Sequence, residues 1–197
     1  MANVSDVKSK FFEPDGVDAD QVSASGSATT LVIVDGGPYG NLTETITLYS
    51  SADNSGNTFT ITGTDGNGDA QTEDLTGPNA GAVSSANKYL TVTSIVSDGA
   101  IATDIQAGIL GTGALTGTVF AGRTRIRGIT GTSKASAGNI VFKNTSITGT
   151  TLLTIPLTGA VSSIDPYIPD NGVLFNAGAY VNLTAADITG VTVYYDG

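Results

Sequence analysis

The sequence predicts an all-β protein: two tandem antiparallel β-sandwiches, Ig-like or jelly-roll-like, behind a short extended N-terminal arm. Three observations carry this. Short runs alternate between apolar and polar residues, clusters of Gly, Asn and Asp separate those runs, and no stretch sustains a helical period. Composition agrees: of 197 residues 40% are hydrophobic but only 7% aromatic, and 26 are Gly, so each core is expected to be thin and rich in Val, Ile, Leu and Thr. A chain of this length holds one large domain or two small ones. The segmentation favours two, with an arm over residues 1–20, an acidic sandwich over 21–112 and a second sandwich over 113–197.

Taken in order, the arm has few apolar points, Val4, Phe11, Phe12 and Val17, among Ser, Lys and Asp. Such a stretch cannot bury enough surface to fold alone, so Phe11 and Phe12 either plug into a partner or pack back on their own domain. Ala28–Val34 (ATTLVIV) reads as a nearly continuous apolar strand, followed by a loop at Asp35–Asn41. In Glu44–Ser50 (ETITLYS) the alternation turns Ile46 and Leu48 inward and Thr45, Thr47 and Tyr49 outward. Thr58–Gly81 reads as the central hairpin, with Phe59 and Ile61 on one face and the turn at Asp65-Gly66-Asn67-Gly68-Asp69. A reversal at Gly77–Gly81 and strands over Lys88–Ser94 and Ile101–Ala107 complete the first sandwich. Gly108–Gly117, rich in Gly and poor in charge, reads as the joint.

In the second half Val119–Ile129 reads as a strand with Arg123, Arg125 and Arg127 on one face. Gly138–Asn144 and Thr150–Ile155 follow, and Pro156, which cannot donate to a ladder, is expected to end the latter. Tyr167–Gly172 is a turn, and Val173–Phe175, Ala179–Leu183 and Val191–Tyr195 close the domain, with one short turn over Thr184–Asp187. Thr-Gly pairs recur eight times and read as punctuation at strand ends.

Absent residue types exclude whole chemistries. With no Cys and no His there is no disulfide, no thiol nucleophile, no Ser-His-Asp triad and no Cys/His metal site. No signal peptide and no apolar run of about 20 residues is visible, so synthesis in the cytoplasm and no membrane span are expected. Net charge is −10, unevenly spread: residues 1–112 carry 14 acids and 3 bases, and residues 113–197 carry 4 acids and 5 bases. An acidic first half repels phosphates, so no nucleic-acid partner is expected.

Two clusters are weighed against simpler readings. Asp65–Asp69 with Glu73 has the oxygen density of a calcium loop, but an EF-hand needs Gly where Ala70 stands and Glu where Thr76 stands, so a plain hairpin turn is favoured and no metal is assigned. Glu73 and Asp74 are adjacent and point opposite ways in a strand, so they cannot flank one bond; with Asp18 and Asp20 they give no enzyme assignment and no catalytic residue. The three arginines are the densest basic patch, and like charges along a strand need neutralising, either within the molecule or by a partner's acidic face.

Two stretches resemble modules of tailed-bacteriophage virion structural proteins. ITGTDGNGDAQTEDLTGPNAGAVSSANKYLTVTSI in the first half has the order of strand, Gly-rich turn, GPNAG loop and TVTSI strand of one such module; GNIVFKN, TGTTLLTIPL, IPDNGVLFNAGAYVNLT and GVTVYYDG resemble a second. The resemblance implies a non-enzymatic capsid decoration or cement protein on the virion surface, without cofactor, bridging subunits of the major capsid protein and self-associating as a dimer or trimer. Its expected contacts are Phe11, Phe12, Arg123, Arg125 and Arg127. The alternative it leaves is a tail, head-tail or fibre component acting as a structural or host-glycan-binding module, with Tyr39, Tyr194 and Tyr195 as stacking platforms.

Overall fold

Strand formation follows the alternation closely. The computed structural model describes residues 6–102, 104–169 and 171–197; Val4, expected as an apolar point of the arm, and Asp170, expected in a turn, lie outside the described residues. Among those described, sixteen strands are present: β1 Val7–Phe12, β2 Asp18–Gly26, β3 Glu44–Asp53, β4 Thr58–Thr64, β5 Ala70–Thr76, β6 Asn79–Tyr89, β7 Thr91–Ser97, β8 Ile105–Ile109, β9 Ala114–Phe120, β10 Thr124–Ser133, β11 Ala137–Asn144, β12 Thr150–Thr158, β13 Ser163–Ile164, β14 Val173–Phe175, β15 Ala179–Thr184 and β16 Ile188–Asp196. The only helical turn described is a 3-10 turn at Tyr39–Asn41. The protein is all-β, with antiparallel sheets packed in sandwich fashion.

The chain divides into two compact units. One contains Met1–Pro14, Gly40–Leu42 and Thr112–Gly197; the other contains Asp15–Tyr39 and Thr43–Gly111. In the first unit one sheet runs β1-β16-β10-β13, with β14 also paired to β10, and the other runs β12-β11-β15-β9. Their inner faces meet through Phe12, Ile126, Ile129, Val191 and Val193 on one side and Leu115, Ile140, Phe142, Val181 and Leu183 on the other. In the second unit β2-β8-β3-β6 packs on β5-β4-β7, enclosing Ile46, Leu48, Phe59, Ile61, Ile95, Ile105 and Tyr89. Each core is mainly aliphatic, as the composition requires, with a few fully buried rings at its centre.

Residues 1–20 form no free arm over their described part. β1 pairs along its whole length with β16, from Val7 opposite Asp196 to Phe12 opposite Val191, and β2 pairs with β8. The low apolar content of the stretch is real, but backbone pairing and one buried apolar side chain per strand, Phe12 in β1 and Val22 in β2, hold it.

Of the hairpin expected over Thr58–Gly81, Thr58–Thr76 forms as the alternation predicts, with Thr58 opposite Thr76 and Thr64 opposite Ala70, whereas Asn79–Gly81 already begins β6 in the other sheet. Phe59 and Ile61 are fully buried. Asp65 closes the turn itself: its carboxylate accepts the amides of Asn67 (2.8 Å) and Asp69 (3.0 Å), and its backbone bonds Asp69 and Gly68. A carboxylate engaged in this way serves the turn.

Five expectations are corrected. Ala28–Val34 is not a strand: Leu31 donates to Ile95 while Val34 donates to Val22, so the segment changes partners before any ladder builds, and only the bridge Thr30–Val96 forms. Lys88–Ser94 spans two strands, because the chain leaves β6 at Tyr89 and enters β7 at Thr91, in the facing sheet. Val119–Ile129 likewise breaks at Ala121–Arg123, between β9 and β10. Pro156 does not end β12, which continues to Thr158, because β12 is an edge strand and a missing donor is tolerated there. Four of the eight Thr-Gly pairs lie inside strands, at Thr62, Thr116, Thr130 and Thr189. Two of their glycines make room for rings: a Cβ at Gly117 would stand 2.7 Å from the Phe12 ring, and one at Gly190 would stand 2.7 Å from the Phe11 ring.

Candidate interaction face and buried carboxyl

Strand parity separates the two adjacent phenylalanines. Phe12 points into its sandwich and is fully buried, so it belongs to the core and is withdrawn as a partner contact. Phe11 points out from the same sheet with 48% of its surface exposed and lies over Gly190. The neighbouring strand β16 presents Tyr194, 36% exposed, on that same outer side. Tyr194 sits opposite Ser9 on β1 and Gly128 on β10, and its ring lies beside Gly128, 3.4 Å from where a Cβ there would stand.

The arginines reach this face from β10, but not as an even row. Thr124 and Ile126 are buried and Arg125 alternates outward between them. A register shift between Ile126 and Gly128 makes Arg127 an extra residue in the ladder, which turns it toward Asp196, where the two form an ion pair at 3.3 Å. Arg125 donates to the backbone oxygen of Asn171 at 3.0 Å. Arg123 precedes the strand, exposed, in the bend that leads from β9. Phe11, Tyr194, Arg125 and Arg127 therefore lie on the outer side of three consecutive strands, β1, β16 and β10, spaced about 5 Å apart. The pairing of β1 with β16 creates this grouping, and no local pattern could announce it.

The tyrosines considered as sugar platforms are dispersed by role. Tyr39 is 1% exposed and donates its hydroxyl to Asp35 O, and Tyr195 packs against the first unit's core beside Phe120. Only Tyr194 remains on a surface. Glu73 and Asp74 also part: Glu73 accepts the amides of Ala86 and Asn87 on β6, and Asp74 accepts the Thr60 hydroxyl on β4.

One titratable group escaped the sequence reading. Glu44, the first residue of β3, is fully buried, and neither carboxylate oxygen has a well-formed hydrogen bond. Burial pushes its carboxyl up to about 7; the nearby amides of Gly111 and Thr45 and the charge of Lys88 pull the other way, and Asp15 adds to the rise. Burial also raises the Tyr39 hydroxyl, helped by Asp35, Glu44 and Asp15, and lowers Lys88. The signal was available in the parity of ETITLYS: a strand that turns Ile46 and Leu48 inward turns Glu44 inward too.

Among the described residues no three Asp or Glu groups converge as a metal site, and no helix is long and apolar enough to cross a membrane. No protein-family model matches the chain, and no curated protein matches it.

Proposed function

We propose that the protein is a structural component of a tailed-phage virion, a capsid decoration or cement protein that docks on the assembled head through the outer face of β1, β16 and β10. The observation that carries the docking role is the grouping of Phe11 and Tyr194 with Arg125 and Arg127 on one sheet face. Exposed aromatic rings and guanidinium groups are the residue types enriched where proteins bind one another. The virion setting rests on the resemblance of both halves to phage modules. Its mechanism is adhesion: each copy bridges neighbouring major-capsid subunits, many weak contacts acting together, and copies self-associate to match local symmetry.

The test adds the purified chain to heads assembled from the major capsid protein of the same phage and counts bound copies. Wild type is expected to saturate the heads and to raise their resistance to heat. A chain carrying Phe11→Ser and Tyr194→Ser is expected to bind at least about tenfold more weakly while keeping its fold, since neither side chain is in the core. Heads that bind no wild-type chain, or that bind the double variant equally well, overturn the proposal.

A further inference from the structure

We infer that the cavity at the start of β10 receives a carboxylate from an acidic segment of a partner protein. The cavity measures about 240 Å³ and is lined by Arg123, Thr124, Arg125, Leu174, Asp196 and Gly197, all within the first unit. It is smaller than the pockets that hold cofactors or drug-sized ligands, which start at about 300 Å³. Its size suits a single side chain.

The charges around it do not cancel. Arg127 is paired with Asp196, the one acid among the described lining residues. Lys8 donates to the backbone oxygen of Gly197 at 3.1 Å. Arg125 uses one nitrogen on the Asn171 oxygen, which leaves its other donors available. Arg123 makes no hydrogen bond or ion pair among the described residues and is exposed. Two guanidinium groups thus border one cavity whose lining carboxylate, Asp196, is already engaged by Arg127, and a further planar carboxylate is the group their forked donors fit. Leu174 supplies an apolar wall for the methylene carbons of an Asp or Glu.

This inference rests on the docking role in taking a protein as the occupant, and it is tested on the isolated chain. The full-length protein is titrated with a capped acidic tetrapeptide, acetyl-Glu-Asp-Glu-Asp-amide, while its backbone amides are followed by NMR. Saturable shifts are expected at Thr124, Arg125 and Gly197. Replacing Arg123 and Arg125 by Ser should weaken binding by about tenfold or more with the rest of the spectrum unchanged, and replacing both by Lys should restore only part of it, because Lys keeps the charge and loses the fork. Shifts located elsewhere, or undiminished in the Ser variant, overturn the inference. So does tighter binding of inorganic phosphate or of a short oligothymidylate at the same amides, which would make the cavity a phosphate reader. Peptide binding by a chain that never joins heads would refute the virion role alone; full head binding with no peptide response would refute the cavity's role alone.

Discussion

Above neutral pH Glu44 must hold a charge where no solvent reaches it and no donor is well placed. Its carboxyl titrates from 4.5 in the unfolded chain to about 7 in the folded one, with burial the main cause. Below the lower value both states are protonated and the group has no effect. As pH rises between the two values the unfolded chain releases its proton while the folded one retains it, so stability falls, and above the upper value the loss is constant. Glu44→Gln keeps the shape and removes the titration. Urea unfolding should show the variant unchanged at about pH 4 and more stable than wild type at about pH 8, by up to about 3 kcal/mol. Equal pH dependence in both proteins would assign the burden to another group. Lys88, Asp15 and Tyr39, the other titratable neighbours, stay in place in both.

At the scale of elements, β1 shows what two adjacent, chemically identical residues do when a strand turns them to opposite sides. Phe12→Ala opens a cavity in the first unit's core and should cost about 3–5 kcal/mol, whereas Phe11→Ala, losing an outward ring, should cost less than about 1 kcal/mol. Chemical denaturation of the two variants separates core from surface directly, and similar losses would mean that both rings pack inward. The alternation in the sequence foretold the hairpin of β4 and β5 and the inward sets of β3, because those depend on neighbours within a few residues. It failed for Ala28–Val34, where the apolar pattern is that of a strand but the hydrogen-bond partners change from β7 to Val22. It also failed at the sheet-to-sheet crossings near Leu90 and Gly122, since strands that bend between layers keep their apolar content. The docking face lay beyond it for a plainer reason: Phe11 and Arg125 come to share one sheet face only through β16, far along the chain from β1.

At the scale of the whole molecule, charge separates with the structure. The unit formed by Asp15–Tyr39 and Thr43–Gly111 carries 12 acids and the single base Lys88, whereas the other carries 6 acids and 7 bases. Self-repulsion therefore burdens one unit and spares the other. Raising salt from low ionic strength to about 0.5 M should screen that repulsion and raise the melting temperature of the acidic unit, with little change in its neighbour. Unit-specific resonances followed during heating would report the two transitions, and an equal shift in both would contradict the argument.

The pairing of β1 with β16 also sets a timetable for synthesis. Val7 and Phe12 leave the ribosome long before Asp196 and Val191, the residues they pair with, exist. All the strands of the acidic unit can pair during that interval, because each finds its partner between Asp18 and Ile109. The other sandwich must keep its first strand unpaired until its last has emerged, so it closes late and slowly, as distant contacts do. A Phe on each side of a waiting strand is an invitation to misassociate, and the lysines at 8 and 10 stand between that strand and aggregation.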